Sequence, residues 1–502
     1  MINIKKVFIG HLFVFIFVFG YSVTNAKTYY VDSRKGSDGN PGTAIDSAWK
    51  SIAKVNSQKF FPGDSILFKC GSEWREELII YSSGDSLNYI TFGSYGTGKR
   101  PKILGSVMLK KFVPLNSTVW KVKADTTGNW LWFVSADTIH WGNKKNGIDE
   151  LNSDGDFFID GRYVYVYGIE NPARKFLSVE LSVRDFGIVS GWYGKGAGKI
   201  KIENFELLFT KNAGIRIVGG EDWIIENCVS HHNGATDESD GQGIQYEGEN
   251  GLFTKNILYE NGQHGLYLSA FGNAPVSNNI IEHNTVFDNY HTGIDVMNNG
   301  DSLHTLKNTV VRFNKVYDNI NFNGKEVGIQ FYAFNGGKIE NVEVYYNILF
   351  NTKGIGISVQ DNTDSVYIFN NTVYQPLSTC FTLDNDSGYV EMYNNIGLGD
   401  NYYAIIFIHN PVNKKVDYNC WFRRSGNLAW VAGEYFGDWN VYVLKTGFDK
   451  HGINADPLLT RELKLTENSP CVNKGKYVGL QKDYGNKKLD DEKIDIGAYE
   501  CF

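Results

Sequence analysis

The chain has 502 residues, a formal net charge of -7 and 15% aromatic residues, with 54 glycines against only 10 prolines. Lysine and arginine are scattered along the sequence, so the composition offers no basic surface of the kind that binds nucleic acid. Many aromatic residues and glycines with few prolines indicate a β-rich fold with tight corners. The length allows one large solenoid or two to three ordinary domains, and only repeats can decide between these.

Residues 1–26 have the pattern of an export signal. Lys5 and Lys6 precede an apolar run over 12–19, and 24–26 supplies the small residues of a cleavage site. The run is shorter than the roughly 20 residues that a membrane-spanning helix needs, and no later segment is comparably apolar. We therefore expect a secreted or periplasmic protein with no membrane span.

The segment 27–105 is predicted to form an N-terminal cap and the first coils. Residues 46–56 have the spacing of a short amphipathic helix. The helix would place three apolar side chains on one face: Trp49, Ile52 and Ala53. Because a solenoid has an open core and unpaired strand edges at its end, this face would plug the N-terminal end.

The segment 106–198 differs from its neighbours. It contains five tryptophans among irregular strand-like runs: Trp120, Trp130, Trp132, Trp141 and Trp192. We predict a β-rich elaboration beside the first coils.

Between residues 199 and 410 one short phrase recurs, in which glycine precedes apolar residues at alternate positions. Clear copies begin at Gly214, Gly243, Gly265, Gly293, Gly328 and Gly356. Their spacings are 29, 22, 28, 35 and 28 residues, a period typical of a solenoid. Because the alternation lasts only four or five residues, it predicts strands and not helices. The chain is thus predicted to be an all-β protein with a parallel β-helix over 199–410 and closing coils with a cap over 411–502.

Asparagines recur just before the second strand of each coil. In a parallel β-helix such residues stack into ladders whose amides satisfy backbone groups at a tight corner. The predicted ladder consists of Asn227, Asn256, Asn284, Asn314, Asn347 and Asn371.

The six cysteines are widely spaced and form no Cys-x-x-Cys pair, which disfavours a zinc site. An oxidising compartment would permit disulfides. The first candidate pair is Cys471 with Cys501, because both lie in the closing segment.

Three parts of the chain resemble the pectate-lyase-like superfamily of right-handed parallel β-helices: the opening phrases 29–33 and 36–42, the phrase 61–67 and the closing phrase 494–500. With the repeats, the resemblance covers nearly the whole mature chain and implies a right-handed solenoid that acts on a polysaccharide. The superfamily holds lyases, hydrolases, epimerases and binding proteins. The signatures of calcium-dependent pectate lyases, alginate epimerases and chondroitinase-like lyases are absent, so no catalytic residue is carried over.

Side chains alternate along a strand, so two positions in each repeat face outward. Stacking of the repeats predicts two outward columns. The first column contains Arg216, Gln245, Tyr267, Asp295, Gln330, Ser358 and Thr382. The second contains Val218, Glu247, Ser269, Met297, Tyr332, Gln360 and Asp384.

Histidines gather at the same coils as the polar residues of these columns. His264 precedes one repeat, His291 precedes the next, and His231 and His232 lie at a nearby corner. Longer loops border this face at 234–241, 270–278, 298–306 and 320–327. Loops that flank a rigid face are where binding grooves form, so we predict the active site here.

The preferred chemistry is β-elimination on a uronate-containing acidic polysaccharide or oligosaccharide, by a lyase or a dehydratase. Elimination needs a base, an acid and groups that neutralise the uronate carboxylate. His264 or His291 would be the base and Tyr267 the acid, while Asp295 and Glu247 complete the catalytic set and could hold a divalent cation such as calcium. Further substrate contacts are expected from Arg216, His232, Gln245, Gln330 and Tyr332.

Two alternatives stay open. A glycoside hydrolase could use Glu247 and Asp295, although their backbones would be about 11–12 Å apart and both side chains would have to lean together. A glycan-binding protein without catalysis would use the same face. In each case we expect a monomer.

Overall fold

The computed structural model describes residues 26–235, 241–271, 274–300, 305–319, 326–375, 377–385, 388–400, 402–409 and 411–501. The predicted export signal lies outside the described residues except for Ala26, and parts of all four predicted loops lie outside them too. Within the described ranges, no helix is both long and apolar enough to cross a membrane.

The protein is a right-handed parallel β-helix, as predicted. Among the described residues, its larger sheet has 23 strands, and most coils contribute two of them. These strands are Thr28–Val31, Ser65–Lys69, Leu78–Ile79, Ile90–Tyr95, Phe186–Ser190, Gly198–Glu203, Ala213–Glu226, Gln242–Glu249, Leu252–Thr254, Leu266–Ala270, Ile280–Glu282, Thr292–Asn298, Thr305–Arg312, Val327–Ala333, Lys338–Tyr345, Ile355–Gln360, Thr363–Phe369, Phe381–Asp384, Val390–Tyr393, Ile405–Phe407, Lys414–Asp417, Ala429–Val431 and Glu434–Phe436.

A second parallel sheet of 11 strands forms another wall of the solenoid. Its strands are Glu73–Trp74, Lys102–Leu104, Glu206–Leu208, Val229–His231, Ile257–Tyr259, Thr285–Phe287, Lys315–Tyr317, Ile348–Phe350, Thr372–Gln375, Ile396–Gly399 and Cys420–Arg423. The apolar residues of the repeats point inward from both sheets and form one continuous core along the axis.

Buried asparagines join successive coils. Each amide in the ladder donates to the side-chain oxygen of the next, as Asn284 does to Asn314 at 3.0 Å. The ladder contains Asn256, Asn284, Asn314, Asn347, Asn371, Asn395 and Asn419, and ends on Asp449. A second ladder, not predicted, contains Asn233, Asn261, Asn289 and Asn319.

The placement of Asn227 in the ladder is wrong. Asn227 has a left-handed backbone, with φ of 52°, and lies one residue before the ladder position. Cys228 occupies that position instead, because its backbone N–H donates to the Asn256 oxygen at 2.9 Å.

The N-terminal cap differs in detail from the prediction. The helix is only Ile52–Asn56, preceded by a 3-10 turn at Ile45–Ser47, and it buries Ile52 and Val55 while Ala53 is exposed. Trp49 is buried as expected, but it lies before the helix and bridges to Val31.

The elaboration consists of two mainly antiparallel sheets with their own apolar core. One sheet contains Ser106–Leu109, Leu131–Val134, Ile139–Trp141 and Ser178–Ser182. The other contains Val113–Pro114, Val119–Lys123, Asn143–Lys144, Asp156–Asp160 and Tyr163–Tyr167. Short helical turns lie at Ile148–Glu150 and Pro172–Lys175. Strand Phe186–Ser190 already pairs within the solenoid, so the elaboration ends before residue 186 and not at 198.

The C-terminal segment does two things. Helix Trp439–Thr446 packs Tyr442 onto the last coils and covers the core. The remaining chain folds back along the outside, where Leu463, Leu489 and Ile494 pack against the coil at Tyr346.

All six cysteines carry free thiols. The candidate Cys471–Cys501 disulfide is therefore not formed. Both residues instead share an apolar cluster with Cys420, and the Cys501 thiol donates to the Leu465 carbonyl at 3.7 Å.

The ladder predicts a stability test. Asn314→Ala should lower the free energy of unfolding by about 2–4 kcal/mol, because several buried backbone groups lose partners at about 1–3 kcal/mol each. The same change at exposed Asn427 should cost less than about 0.5 kcal/mol. Urea unfolding followed by tryptophan fluorescence would measure both variants, and equal losses would contradict a structural role for the ladder.

Candidate active site

The predicted first column of outward residues is formed as expected. Successive strands pair in register, so that each residue of the column lies directly above the next. The pairs run from Arg216 through Gln245, Tyr267, Asp295, Gln330 and Ser358 to Thr382. Of the second column, Val218 pairs with Glu247, Ser269 with Met297, Met297 with Tyr332, and Gln360 with Asp384.

Two cavities open along this wall and together form one cleft. The first has a volume of about 330 Å³ and is lined by Phe186, Trp192, Asn212, Arg216, Gln242, Gln245, Gln263, His264, Tyr267, Phe271 and Met297. The second has a volume of about 530 Å³ and is lined by His264, His291, Asp295, Met297, Glu326, Val327, Gln330, Tyr332, Ile355 and Gln360. His264 and Met297 line both cavities, so the two are neighbours.

His264, Tyr267, His291 and Asp295 meet where the cavities join. The rings of His264 and Tyr267 have centroids 4.8 Å apart, and those of His264 and His291 are 5.3 Å apart. Nδ1 of His264 lies 3.6 Å from Oδ2 of Asp295. All but His291 are more than nine-tenths buried, so four of the five predicted catalytic residues lie together within a cleft and not on an open face.

Burial determines the charge of this cluster. It raises the pKa of Asp295 to about 7. It lowers the pKa of His264 well below its usual value, with His291 adding to the effect. Burial, then the charge of Asp295, raises the pKa of Tyr267 well above its usual value. Because neutral forms of Asp295 and His264 are both favoured, their 3.6 Å contact is not a formed ion pair near neutral pH.

Three polar atoms of this cluster have no hydrogen-bond partner among the described residues: His264 Nδ1, Tyr267 OH and Asp295 Oδ1. A buried polar atom without a partner costs stability. Such groups are retained where a ligand or a reacting group uses them, which makes the cluster the best candidate for chemistry.

The buried, positively charged side chain of Arg216 lines the first cavity. Arg216 Nη2 lies 3.8 Å from Glu247 Oε2, and the Arg216 guanidinium lies 5.1 Å from the ring centroid of Trp192. Glu247 itself lines neither cavity. The structure therefore places Glu247 behind Arg216, where it can hold the guanidinium.

Glu326 is a site residue that the sequence columns missed. It lines the second cavity, it is 1% exposed, and neither carboxylate oxygen has a hydrogen-bond partner among the described residues. It was missed because it precedes strand Val327–Ala333 and so belongs to neither outward column. In the sequence, Glu326 is marked only by being a single acidic residue just before an apolar strand.

His232 lies away from both cavities. It is buried at the corner with His231, and its Nε2 lies 3.0 Å from Glu260 Oε2. Trp132 and Trp141 of the elaboration pack against it. The prediction that His232 contacts substrate in this cleft thus conflicts with the geometry, because the elaboration covers its corner.

In the described part of the chain, Asp295 and Glu247 do not form the divalent-cation site suggested by the sequence. No group of three or more His, Cys, Asp and Glu side chains is close enough there to hold a metal ion. The carboxyl groups of Asp295 and Glu247 instead face different partners, His264 and Arg216.

With the fold and the cleft described, the chain falls in the class of right-handed parallel β-helices, with a polar cleft on one sheet. A family model described as "Right handed beta helix region" matches residues 187–319. A segment of 85 residues is 35% identical to a lacto-N-biosidase from Bifidobacterium longum subsp. longum, covering 16% of this chain and 5% of that enzyme. The chain thus spans only a small part of that relative.

Solved structures share the architecture over most of the chain. The complex of XylC with xylose has a TM-score of 0.60 at 14% identity, covering 95% of this chain and 98% of XylC. A structure described as a glycoside hydrolase has a TM-score of 0.53 at 10% identity, covering 85% and 99%. Pectate lyase Pel9A has a TM-score of 0.51 at 14% identity, covering 96% and 98%. At these identities the likeness shows the fold.

The shifted pKa of Asp295 predicts a pH-dependent stability. In the unfolded chain Asp295 releases its proton near the ordinary pKa of 3.8, whereas in the folded chain it keeps the proton up to a pH of about 7. The stability that the protonated Asp295 contributes is therefore fully present at low pH and is lost as the pH rises to about 7. Relative to the Asp295→Asn variant, the free energy of unfolding of the wild-type protein should fall by on the order of 4 kcal/mol between pH 4 and pH 8. Urea unfolding of both proteins across this range would measure it, and a constant difference would contradict the shift.

Proposed function

We propose that this chain is a glycan-degrading enzyme and that it hydrolyses a glycosidic bond in the cleft between Asp295 and Glu326. The observation that carries the proposal is the state of Asp295. Burial raises its pKa to about 7, and its Oδ1 has no partner among the described residues. A carboxyl group that stays protonated near neutral pH and faces a cavity is suited to donate a proton to a leaving oxygen.

Glycoside hydrolysis needs a second carboxyl group, and Glu326 is the better candidate for it. Glu326 and Asp295 line the same cavity, whereas Glu247 lines neither cavity and lies against Arg216. Asp295 would protonate the glycosidic oxygen as the bond to the sugar carbon breaks. Glu326 would either attack that carbon or take a proton from an attacking water.

The match to lacto-N-biosidase supports a glycan substrate, because that relative is named for action on one. Export of the chain, expected from residues 1–26, fits an enzyme that meets polysaccharide outside the cytoplasm, and we propose a secreted or periplasmic monomer.

Hydrolysis predicts a leaving-group test. A panel of aryl glycosides and neutral oligosaccharides would first identify a substrate by reducing ends and by a mass gain of one water. Asp295→Asn should then lower kcat by about 10²–10⁴-fold on an oligosaccharide, since the proton donor is lost. The loss should be much smaller on an activated aryl glycoside, whose leaving group needs no proton.

The matched control is Glu282→Gln, because Glu282 lies in the coil that precedes Asp295, outside both cavities, and pairs with Arg312. It should retain wild-type kcat. Equal losses in Asp295→Asn on both kinds of leaving group would remove Asp295 from the role of acid.

β-Elimination is the second candidate, and one observation favours it. His264 is held neutral by burial, and it adjoins Tyr267, whose hydroxyl has no partner among the described residues. A neutral imidazole and a phenol can serve as base and acid. Against it, Arg216 is the only Arg or Lys among the described residues that line the cleft, and Glu247 lies 3.8 Å from its guanidinium.

Elimination has a distinct product. Pectin, alginate, glycosaminoglycan and ulvan fragments should give absorbance near 235 nm if a uronate is cleaved, and an 18 Da loss without chain scission if it is dehydrated. Under the preferred proposal none of them gives either signal. A strong signal that disappears in Tyr267→Phe and His264→Ala, but not in Glu326→Gln, would establish elimination. Glycan binding with no turnover on either panel would instead favour a binding protein.

A further inference from the structure

The first cavity has the lining of a pocket for an uncharged sugar. Resting on the proposed glycan function, we infer that this cavity binds a neutral pyranose residue next to the bond that is cleaved, and that Trp192 and Gln242 select it. Its volume of about 330 Å³ lies at the small end of ligand sites, which begin at about 300 Å³, and so suits one or two sugar residues.

Amides dominate the polar lining of this cavity. Asn212, Gln242, Gln245 and Gln263 all contribute to it. An amide both donates and accepts hydrogen bonds, as a sugar hydroxyl does, and it brings no charge. The cavity can therefore bind hydroxyl groups in several orientations without needing an ionic partner on the ligand.

Gln242 offers a buried hydrogen-bond acceptor to a ligand in this cavity. It is 3% exposed, and its Nε2 donates to Gln263 Oε1 at 2.9 Å. Its Oε1 is buried and has no partner among the described residues. A buried acceptor in a polar cavity is satisfied when a donor enters, and a sugar hydroxyl supplies one.

Aromatic side chains lie at the rim of the same cavity. Trp192 is 52% exposed and Phe271 is 43% exposed, although both are large apolar residues. Phe186 packs edge-on against Trp192, with ring centroids 5.6 Å apart, so the indole is held in place while it stays accessible. Aromatic faces suit the C–H surface of a pyranose, because one side of that ring is apolar.

The charge balance argues against an acidic sugar in this cavity. Arg216 is the only ionic side chain among the described residues that line it, apart from His264, which burial keeps neutral. Glu247 lies 3.8 Å from Arg216 and balances its charge. A uronate carboxylate would have to compete with Glu247 for this guanidinium at a desolvated position, which is unfavourable.

The pocket is also placed to present the substrate for cleavage. His264 and Met297 separate it from the cavity that contains Asp295 and Glu326. A sugar held against Trp192 would therefore direct its glycosidic oxygen toward the carboxyl pair. The first cavity would determine which glycan is bound, and the second would determine what happens to it.

The test uses binding and not turnover, so that it can fail separately from the proposed reaction. The full-length Asp295→Asn protein would be titrated by calorimetry with oligosaccharides of glucose, galactose and xylose, and with matched oligosaccharides of glucuronate and galacturonate. At least one neutral oligosaccharide should bind, at least 10-fold more tightly than its uronate counterpart. In that background Trp192→Ala and Gln242→Ala should each weaken binding at least 10-fold.

Two further variants distinguish recognition from folding. Trp192→Phe, which keeps an aromatic face, should recover part of the affinity. Tyr402→Ala, at a tyrosine that is 53% exposed but outside the cavity, should leave affinity unchanged. Tighter binding of uronates, no binding of any neutral oligosaccharide, or unchanged affinity in Trp192→Ala would each overturn the inference. Neutral binding without wild-type hydrolysis would uphold it while removing the proposed reaction.

Discussion

The register of backbone hydrogen bonds between coils determines both the core and the outer wall of this protein. Each strand pairs in parallel with the equivalent strand of the next coil, so residues 22–35 positions apart become neighbours about 4.8 Å apart. A slip of one residue would turn every inward side chain outward. The two asparagine ladders help to hold the register, because buried amides such as those of Asn284 and Asn289 donate both to the next asparagine of the ladder and to a backbone carbonyl.

The same stacking that fills the core also assembles the cleft. Tyr267 and Asp295 are adjacent because their strands pair directly, and His264 joins them from the corner that precedes its strand. The chain after Phe186–Ser190 then covers one end of this wall, where the Trp192 ring lies over the Arg216 guanidinium. Burial of the Asp295 carboxyl group is what shifts its pKa upward.

Buried polar groups without partners make this region costly to fold. His264, Tyr267, Asp295 and Glu326 all contribute such atoms among the described residues. The long parallel core and its ladders can offset this cost, since they supply stabilising contacts along the whole axis and not at the cleft alone. A rigid solenoid wall also limits how far these side chains can move apart, which keeps the carboxyl and imidazole groups close together.

Repeats in the amino-acid sequence were sufficient to predict the solenoid and the order of residues along its outer wall. Glycine, apolar alternation and asparagine recur with the coil, and strand geometry converts that recurrence into the column from Arg216 to Thr382. The positions of residues outside the repeats became clear from the folded chain. His232 lies under the elaboration, Cys228 takes the ladder position predicted for Asn227, and Glu326 lines the same cavity as Asp295. These positions depend on corners and on packing between distant segments, and side-chain periodicity carries no information about either.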